Sequence, residues 1–219
     1  MKKEAFVRPL YIFYYSLLII FIIILNLYLI SALTQISCSD NTNPLSDQNE
    51  IKIGEARLIN EIGIGLIKTT ESIFYKRFSS ELLIDARRLI VSNETPSEIA
   101  ELLNGNYTVN FIKANSTTAT ITVDGEKNDI SLMETATVKG MNVMITNLEF
   151  IESGAKIKLI IGTQRIILFN DQNPAQKITI KDKSFVIELD SASLENALIK
   201  VSKCDKSEII IKGQETSEK

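Results

Sequence analysis

Residues 108–123 read TVNFIKANSTTATITV, and this stretch decides the fold class. Apolar and polar residues alternate on both sides of a polar turn, which is the period-two pattern of two half-buried strands joined as a hairpin. The alternation continues toward the C-terminus in short runs that are separated by turn residues such as Asp124-Gly125 and Lys139-Gly140. Short strands with regular turns predict an antiparallel β-sandwich or barrel-like domain over residues 107–212.

The opening stretch has an echo 78 positions later in the chain, at residues 186–201 (VIELDSASLENALIKV). The two stretches align without gaps, and each consists of a strand, a polar turn and a strand. Chance alignment of two generic alternating patterns explains the echo as readily as a duplicated hairpin unit does. A real duplication predicts two related β units that stack or form a pseudo-symmetric sandwich.

Residues 51–106 are predicted as a mixed α/β segment. Residues 55–66 alternate loosely, as a strand does, whereas apolar residues at helical spacing predict a helix over 71–91. The run Thr95-Pro96-Ser97-Glu98 has the form of a capping box, and Gly105 is a stop signal, so a second helix is predicted over 96–104. The predicted fold class is therefore mainly β with one or two short helices.

Residues 10–33 (LYIFYYSLLIIFIIILNLYLISAL) contain no charged residue, no proline and no glycine. A helix of this length is about 36 Å long, which is enough to cross a hydrocarbon core of roughly 30 Å. Lys2, Lys3 and Arg8 precede the segment, and acidic residues follow it. The positive-inside rule therefore predicts a single-pass transmembrane helix, with the N-terminus inside and the C-terminal domain outside the cytoplasmic membrane.

These segments divide the chain into a cytoplasmic head (1–9), the transmembrane helix (10–33), a stalk (34–50), the mixed segment (51–106), the β domain (107–212) and a disordered tail (213–219). Two alternatives to an uncleaved anchor stay open. A cleaved signal peptide needs a shorter apolar core and an A-x-A-like site, which Ser31-Ala32-Leu33 matches poorly. A lipoprotein signal would modify Cys38, because Gln35-Ile36-Ser37-Cys38 has the form of a lipobox with Gln35 in place of an aliphatic residue.

The composition argues against several classes of function. The chain has no histidine, so it cannot form a Ser-His-Asp or Cys-His catalytic unit or a histidine metal ligand. Its net charge of −3 argues against nucleic-acid binding, which needs a basic face to neutralise phosphates. No dinucleotide-binding or Walker A motif occurs, and no Ser-Lys or acidic pair stands in the context that a hydrolase needs. We therefore expect neither an enzyme nor a bound cofactor.

Two sets of side chains are candidates for metal binding and cross-linking. Asp124, Glu126 and Asp129 offer hard oxygen ligands for calcium, although a hairpin turn at Asp124-Gly125 explains the same residues. Cys38 and Cys204 are the two cysteines of the chain. Outside the cytoplasm they form either a disulfide, which would tie the stalk to the last strands, or two unpaired thiols.

Three asparagines begin N-x-[ST] triplets, namely Asn93, Asn106 and Asn115. Such triplets are N-glycosylation acceptors, and an exported topology makes them usable in hosts that glycosylate. With 16 asparagines in the chain, one or two such triplets arise by chance, so the sequence favours neither reading.

Residues 120–148 (TITVDGEKNDISLMETATVKGMNVMITNL) contain Val123-Asp124-Gly125, Glu134-Thr135 and a Val138-x-Gly140-x-x-Val143 step. With these features the stretch resembles the β units of archaeal S-layer and related cell-surface proteins, in which a strand, a V-D-G turn and a V-x-G-x-x-V step follow one another. Met133 stands where those units commonly have glycine. The resemblance covers about 30 of 219 residues; it implies an envelope protein and brings no catalytic residues with it.

We therefore expect a membrane-anchored extracytoplasmic structural or interaction protein of the cell envelope, associated with an S-layer or with surface assembly. Its partners would be membrane lipid, through residues 10–33, and other envelope proteins, but no nucleic acid. The alternative is a surface module that binds a peptide or a glycan, as an adhesin or a sensor ectodomain does. A divergent hydrolase is the least favoured function. Strand edges or an apolar patch would carry the contact in the first case, and a concave pocket in the second.

Overall fold

The computed structural model describes residues 17–21, 34–36, 47–73, 77–171, 173–204 and 209–211. The chain divides into two compact units, Met1–Ser37 with Ile209–Lys219, and Cys38–Glu208. Within the described ranges the chain forms eighteen strands, β1 to β18.

The first unit contains one strand pair and a short helical stretch. Strand β1 (Thr34–Ile36) pairs antiparallel with β18 (Ile209–Ile211), and residues 17–21 are helical. Of the predicted transmembrane segment 10–33, the structure describes only these five helical residues. No helix in the described part of the chain is both long enough and apolar enough to cross a bilayer, so the transmembrane helix stays a prediction.

The second unit contains sixteen strands in four antiparallel sheets, and the predicted mainly antiparallel β fold is confirmed. The sheet orders are β10-β9-β8-β7, β11-β12-β13-β6, β14-β5-β4-β3 and β15-β16-β17-β2. The strands are β2 (Asp47–Lys52), β3 (Ala56–Ile59), β4 (Ile62–Ser72), β5 (Arg77–Ile84), β6 (Arg87–Ser92), β7 (Ser97–Leu102), β8 (Gly105–Ala114), β9 (Thr118–Val123), β10 (Glu126–Ser131), β11 (Thr135–Val138), β12 (Met141–Ile151), β13 (Gly154–Gly162), β14 (Gln164–Phe169), β15 (Ala175–Ile180), β16 (Lys183–Ala192) and β17 (Asn196–Cys204).

The two predicted short helices are wrong. The helix predicted over 71–91 is replaced by parts of β4 and β6 and all of β5, and the helix predicted over 96–104 by β7. Residues 71–91 contribute side chains to three separate apolar clusters. Their buried positions therefore do not keep a single period of two, and the resulting apolar spacing resembled that of a helix. In the second case Thr95 donates to or accepts from the Ser92 hydroxyl in a strand-to-strand turn, rather than capping a helix.

The second unit has two lobes, each with its own apolar core. Lobe 1 comprises β6 to β13, and its core contains side chains from Leu89 to Ile161. Lobe 2 comprises β2 to β5 together with β14 to β17, and its core contains side chains from Ile51 to Val201. Each lobe is built from two of the four-stranded sheets. The predicted boundary between residues 106 and 107 therefore falls inside lobe 1, within β8.

The echo seen in the sequence is part of a repeat of eight strands. Strands β2 to β9 correspond in order to β10 to β17, with offsets of 79, 77 and 78 residues when the starts of β4 and β12, β5 and β13, and β7 and β15 are compared. Hairpins β8–β9 and β16–β17 have the same register, and both interrupt it at the same place, after Phe111 and after Leu189. Hairpins β4–β5 and β12–β13 also share one interruption, after Leu66 and after Ile145. A shared bulge position is a local feature that generic alternation does not produce, so we interpret the chain as a duplication.

The duplicated halves exchange strands. The first half contributes β2 to β5 to lobe 2 and β6 to β9 to lobe 1, and the second half does the reverse. The chain crosses between lobes at Asp85-Ala86 and again at Gly162-Thr163, where β5–β6 runs antiparallel to β13–β14. The crossing is tight, because Ala86 N donates to the Gly63 carbonyl at 2.8 Å. A small third cluster that includes Ala86 packs beside it.

Candidate binding face of lobe 1

The outer surface of the β11-β12-β13-β6 sheet carries the clearest concentration of unpaired positive charge. On β6, Leu89 and Val91 point into the core of lobe 1. Because side chains alternate along a strand, Arg88 and Ile90 lie on the outer face, and both are exposed.

Strand β13 adds two lysines beside them. Ile157 and Leu159 enter the core, so Lys156 and Lys158 lie on the same outer face as the exposed residues of β6. Lys158 is the direct cross-strand neighbour of Ile90. We call Arg88, Ile90, Lys156 and Lys158 the basic face.

One carboxylate partly neutralises this face. Lys158 Nζ lies 2.9 Å from Glu149 Oε1, and Asn147 Nδ2 donates to the same oxygen at 2.6 Å. The hydrogen bond and charge of Lys158 lower the pKa of Glu149 below its ordinary value, desolvation opposes them, and Asn147 and the charge of Lys156 lower it further. Among the described residues no ion pair joins Arg88 or Lys156 to a carboxylate, although Lys156 is the cross-strand neighbour of Glu149. Both side chains therefore keep N–H donors for an external anion.

A cleft of about 590 Å³ adjoins the face where β6 and β7 meet. Its lining is formed by Arg88, Ile90, Thr95, Ser97 and Glu98. Strands β6 and β7 belong to different sheets, so the outward edge of β6 has no neighbouring strand there. Instead, the Glu98 carboxylate accepts a hydrogen bond of 2.8 Å from the backbone N–H of Ile90. The cleft therefore combines an apolar side chain, a cation and a carboxylate that occupies the backbone donor of Ile90.

Lobe 2 offers an internal comparison. Arg165 and Ile167 occupy the positions of β14 that correspond to Arg88 and Ile90 of β6, and the two isoleucines are 46% and 40% exposed, respectively. Neither pair contributes to a core, so packing does not account for their recurrence. In lobe 2, however, Arg165 forms an ion pair with Glu81, which stands at the position of Lys158 in lobe 1. The arginine of lobe 2 is therefore paired within the chain, whereas Arg88 forms no ion pair among the described residues and the face of lobe 1 is neutralised only in part.

The candidate calcium ligands have separate local roles. Asp124 has a φ of 45° and Gly125 a φ of 86°, which suits the hairpin turn expected for Asp-Gly, and Asp124 Oδ1 accepts from Thr108 N at 2.8 Å. Asp129 Oδ1 accepts from the Thr120 hydroxyl at 2.5 Å. Within the described part of the chain no group of three or more Cys, Asp or Glu side chains is placed to hold a metal ion.

Of the two cysteines, the structure describes only Cys204. Cys204, at the end of β17, is buried, and it is disulfide-bonded. No cysteine among the described residues is free. Cys38 lies outside the described residues, so its pairing with Cys204 stays a prediction.

The three candidate glycosylation asparagines all lie on lobe 1 and are exposed. Asn93 follows β6, and its Oδ1 accepts from Ala155 N at 2.6 Å. Asn115 lies in the β8–β9 turn, where its Oδ1 accepts from Thr118 N at 2.8 Å. Asn106 lies near the start of β8. The exposure is compatible with modification of any of the three side chains.

The basic face was missed in the sequence because Arg88 and Ile90 fell inside a predicted helix. One signal was present: RRLIV at 87–91 and QRIIL at 164–168 share an arginine and an isoleucine at an offset of 77. Extending the internal alignment upstream of residue 108, with a shift of one residue, would have found it.

Comparisons of this chain with protein-family models, with curated proteins and with solved structures found no match.

Proposed function

We propose that the protein is a membrane-anchored, extracytoplasmic structural and interaction protein of the cell envelope, associated with an S-layer or with surface assembly. Residues 10–33 would anchor it in the cytoplasmic membrane, and the two lobes would contact neighbouring envelope proteins. The alternative, a surface module that binds a peptide or a glycan, is favoured by the open cleft beside β6.

The observation that carries the proposal is the exposure of residues 17–21. These are five consecutive apolar residues, and each exposes between 52% and 61% of its surface. Elsewhere in the same chain, large apolar side chains such as Phe185 and Leu66 are fully buried. Apolar side chains exposed on every side of a helix are stable in lipid rather than in water.

The basic face supports the interaction half of the proposal. It joins an exposed arginine and two half-buried lysines to an exposed isoleucine on a regular sheet, where the side chains are held by strands rather than by loops. Side chains on regular strands are positioned more firmly than side chains on loops, which suits a contact surface.

The anchor and its orientation are tested by protease treatment of cells that express the full chain with a tag at each end. We expect intact cells to lose the C-terminal tag and to keep the N-terminal tag, and permeabilised cells to lose both. Protection of the C-terminal tag in intact cells, together with its cleavage after permeabilisation, would contradict the orientation. Recovery of the full chain as a soluble monomer in buffer without detergent would contradict the anchor itself.

Assembly is tested separately from anchoring. The full-length protein, reconstituted into lipid vesicles, is examined by electron microscopy for ordered arrays or filaments. Ordered arrays support the structural role, whereas dispersed particles that bind a defined peptide or glycan support the alternative.

A further inference from the structure

We propose that the basic face of lobe 1 and the adjoining cleft bind an acidic polypeptide segment of a neighbouring protein. The location of that partner, in the cell envelope, rests on the proposed function. The chemistry of the partner is inferred from the geometry of lobe 1 alone.

The first step is charge. The chain as a whole has a net charge of −3, yet the face and the cleft together present three cations against two carboxylates, Glu149 and Glu98. Lys158 forms an ion pair with Glu149 at 2.9 Å. Lys156 is the cross-strand neighbour of Glu149 but forms no ion pair with it, so Arg88 and Lys156 keep N–H donors for an anion. Complementary charge on a partner steers its approach and favours it over uncharged competitors.

The second step is the comparison of the two lobes, which identifies the anion. The arginine is present in both copies, and in lobe 2 its partner is the carboxylate of Glu81. In lobe 1 the corresponding residue is Lys158, so the internal carboxylate is replaced by a cation. A carboxylate supplied by another molecule restores the pairing that lobe 2 makes within the chain.

The third step favours a polypeptide over a lipid headgroup. Ile90 lies between the cations as the cross-strand neighbour of Lys158 and is 40% exposed. Its backbone N–H is already occupied by the Glu98 carboxylate at 2.8 Å, so an arriving carboxylate pairs with the cations and not with this N–H. A segment in which acidic and apolar residues alternate matches both the cations and the isoleucine, since alternate side chains of an extended chain face the same surface.

The test uses the full-length protein in detergent micelles and a fluorescent peptide in which glutamate alternates with valine and alanine. A second peptide with lysine in place of glutamate is the probe control. The variant Arg88→Ser with Lys156→Ser removes the two unpaired cations. The matched control, Lys177→Ser with Lys181→Ser, removes the same charge from two exposed positions of lobe 2 that form no ion pair among the described residues.

We expect the acidic peptide to bind the wild-type protein, and we expect the lobe 1 variant to raise its Kd by about tenfold, as loss of two exposed charge contacts implies. The lobe 2 control should change the Kd by less than about twofold. Lys156 is half-buried and the other substituted side chains are exposed, and none belongs to an apolar core, so thermal unfolding should be unchanged and should exclude misfolding as the cause.

Three outcomes would overturn the proposal. One is a Kd for the acidic peptide that the lobe 1 variant leaves unchanged. Another is an equal increase of the Kd in the lobe 1 variant and in the lobe 2 control, which would show attraction by net charge alone. The third is binding to vesicles of phosphatidylglycerol that the lobe 1 variant weakens, without binding to the acidic peptide, which would assign the face to lipid. None of these results bears on the tag-cleavage experiment, so failure of this proposal is distinguishable from failure of the proposed function.

Discussion

Removing the carboxylate of Asp85 is expected to destabilise the junction between the lobes. Asp85 is 3% exposed, and it lies where the chain crosses from lobe 2 to lobe 1. Its Oδ1 accepts from Leu103 N at 2.8 Å, and its Oδ2 accepts from Asn104 N at 3.1 Å. The carboxylate therefore holds the β7–β8 turn of lobe 1 against the crossing.

The magnitude follows from these two bonds. A hydrogen bond to a charged acceptor contributes about 1.5–3 kcal/mol, but Asn104 is exposed, so water can replace part of its bond. We expect Asp85→Gly to lower the free energy of unfolding by about 2–4 kcal/mol. Asp85 has a φ of 53°, so Asp85→Ala should cost about 1 kcal/mol more. Asp85→Asn keeps one acceptor oxygen and should cost least.

The assay is urea unfolding of the full-length protein in micelles, followed by circular dichroism. The control is Asp182→Ala, an exposed aspartate in the turn of lobe 2 that corresponds to the β7–β8 turn, for which we expect a change within about 0.5 kcal/mol. If Asp85→Gly is as stable as the wild-type protein, the two backbone bonds do not hold the junction. If Asp85→Ala and Asp85→Gly are equal, the backbone conformation contributes nothing.

Three further predictions concern the junction, acid sensitivity and the cross-link. In Gly63→Ala the new Cβ would lie 1.8 Å from the carbonyl oxygen of Ala86 at the crossing. We therefore expect the free energy of unfolding in the same urea assay to fall by about 3 kcal/mol or more. A decrease below about 1 kcal/mol would contradict the tight crossing. Hydrogen bonds from Lys203 and Lys183 lower the pKa of Glu61. This interaction therefore stabilises the fold above the ordinary pKa of a glutamate, and the stabilisation is lost as the pH falls through the lowered pKa. Lys203→Ala should raise the pKa of Glu61 in an NMR titration, and an unchanged pKa would refute the pairing. The Cys38–Cys204 bridge predicts that the reduced chain migrates more slowly than the non-reduced chain in a denaturing gel, and that Cys38→Ser abolishes this difference; a difference that persists in the variant would refute the bridge.

The strand pattern was readable where one strand faces one core. In residues 108–123 the positions Val109, Phe111, Ile121 and Val123 all enter the core of lobe 1, so burial on a single face produced a clean period of two. In residues 77–92 the buried positions are divided among three clusters, since Leu82 and Leu83 lie in different ones. Local periodicity does not show where consecutive residues pack into different cores. The helix over 71–91 was predicted for that reason.

The candidate face depends on long-range register that sequence alone does not contain. Lys156 and Lys158 alternate visibly with apolar residues, which suffices to place them on an outer surface. Their approach to Ile90 requires β13 to pair with β6, more than 60 residues earlier in the chain. The exchange of strands between halves makes this pairing less predictable still, because β13 and β6 belong to different copies of the repeat.

Lobe 2 is built from two segments that are far apart in the sequence, and this has a consequence for biosynthesis. Lobe 1 is one uninterrupted segment and can close as soon as β13 has left the ribosome. Strands β2 to β5 emerge earlier, but their partners end at residue 204, which is 120 residues after residue 84. At ordinary translation speeds of 5–20 residues per second, the first four strands wait roughly ten seconds for the rest of their core. During that interval a nascent chain exposes apolar strand faces, so successful maturation depends on what shields them before the last hairpin arrives.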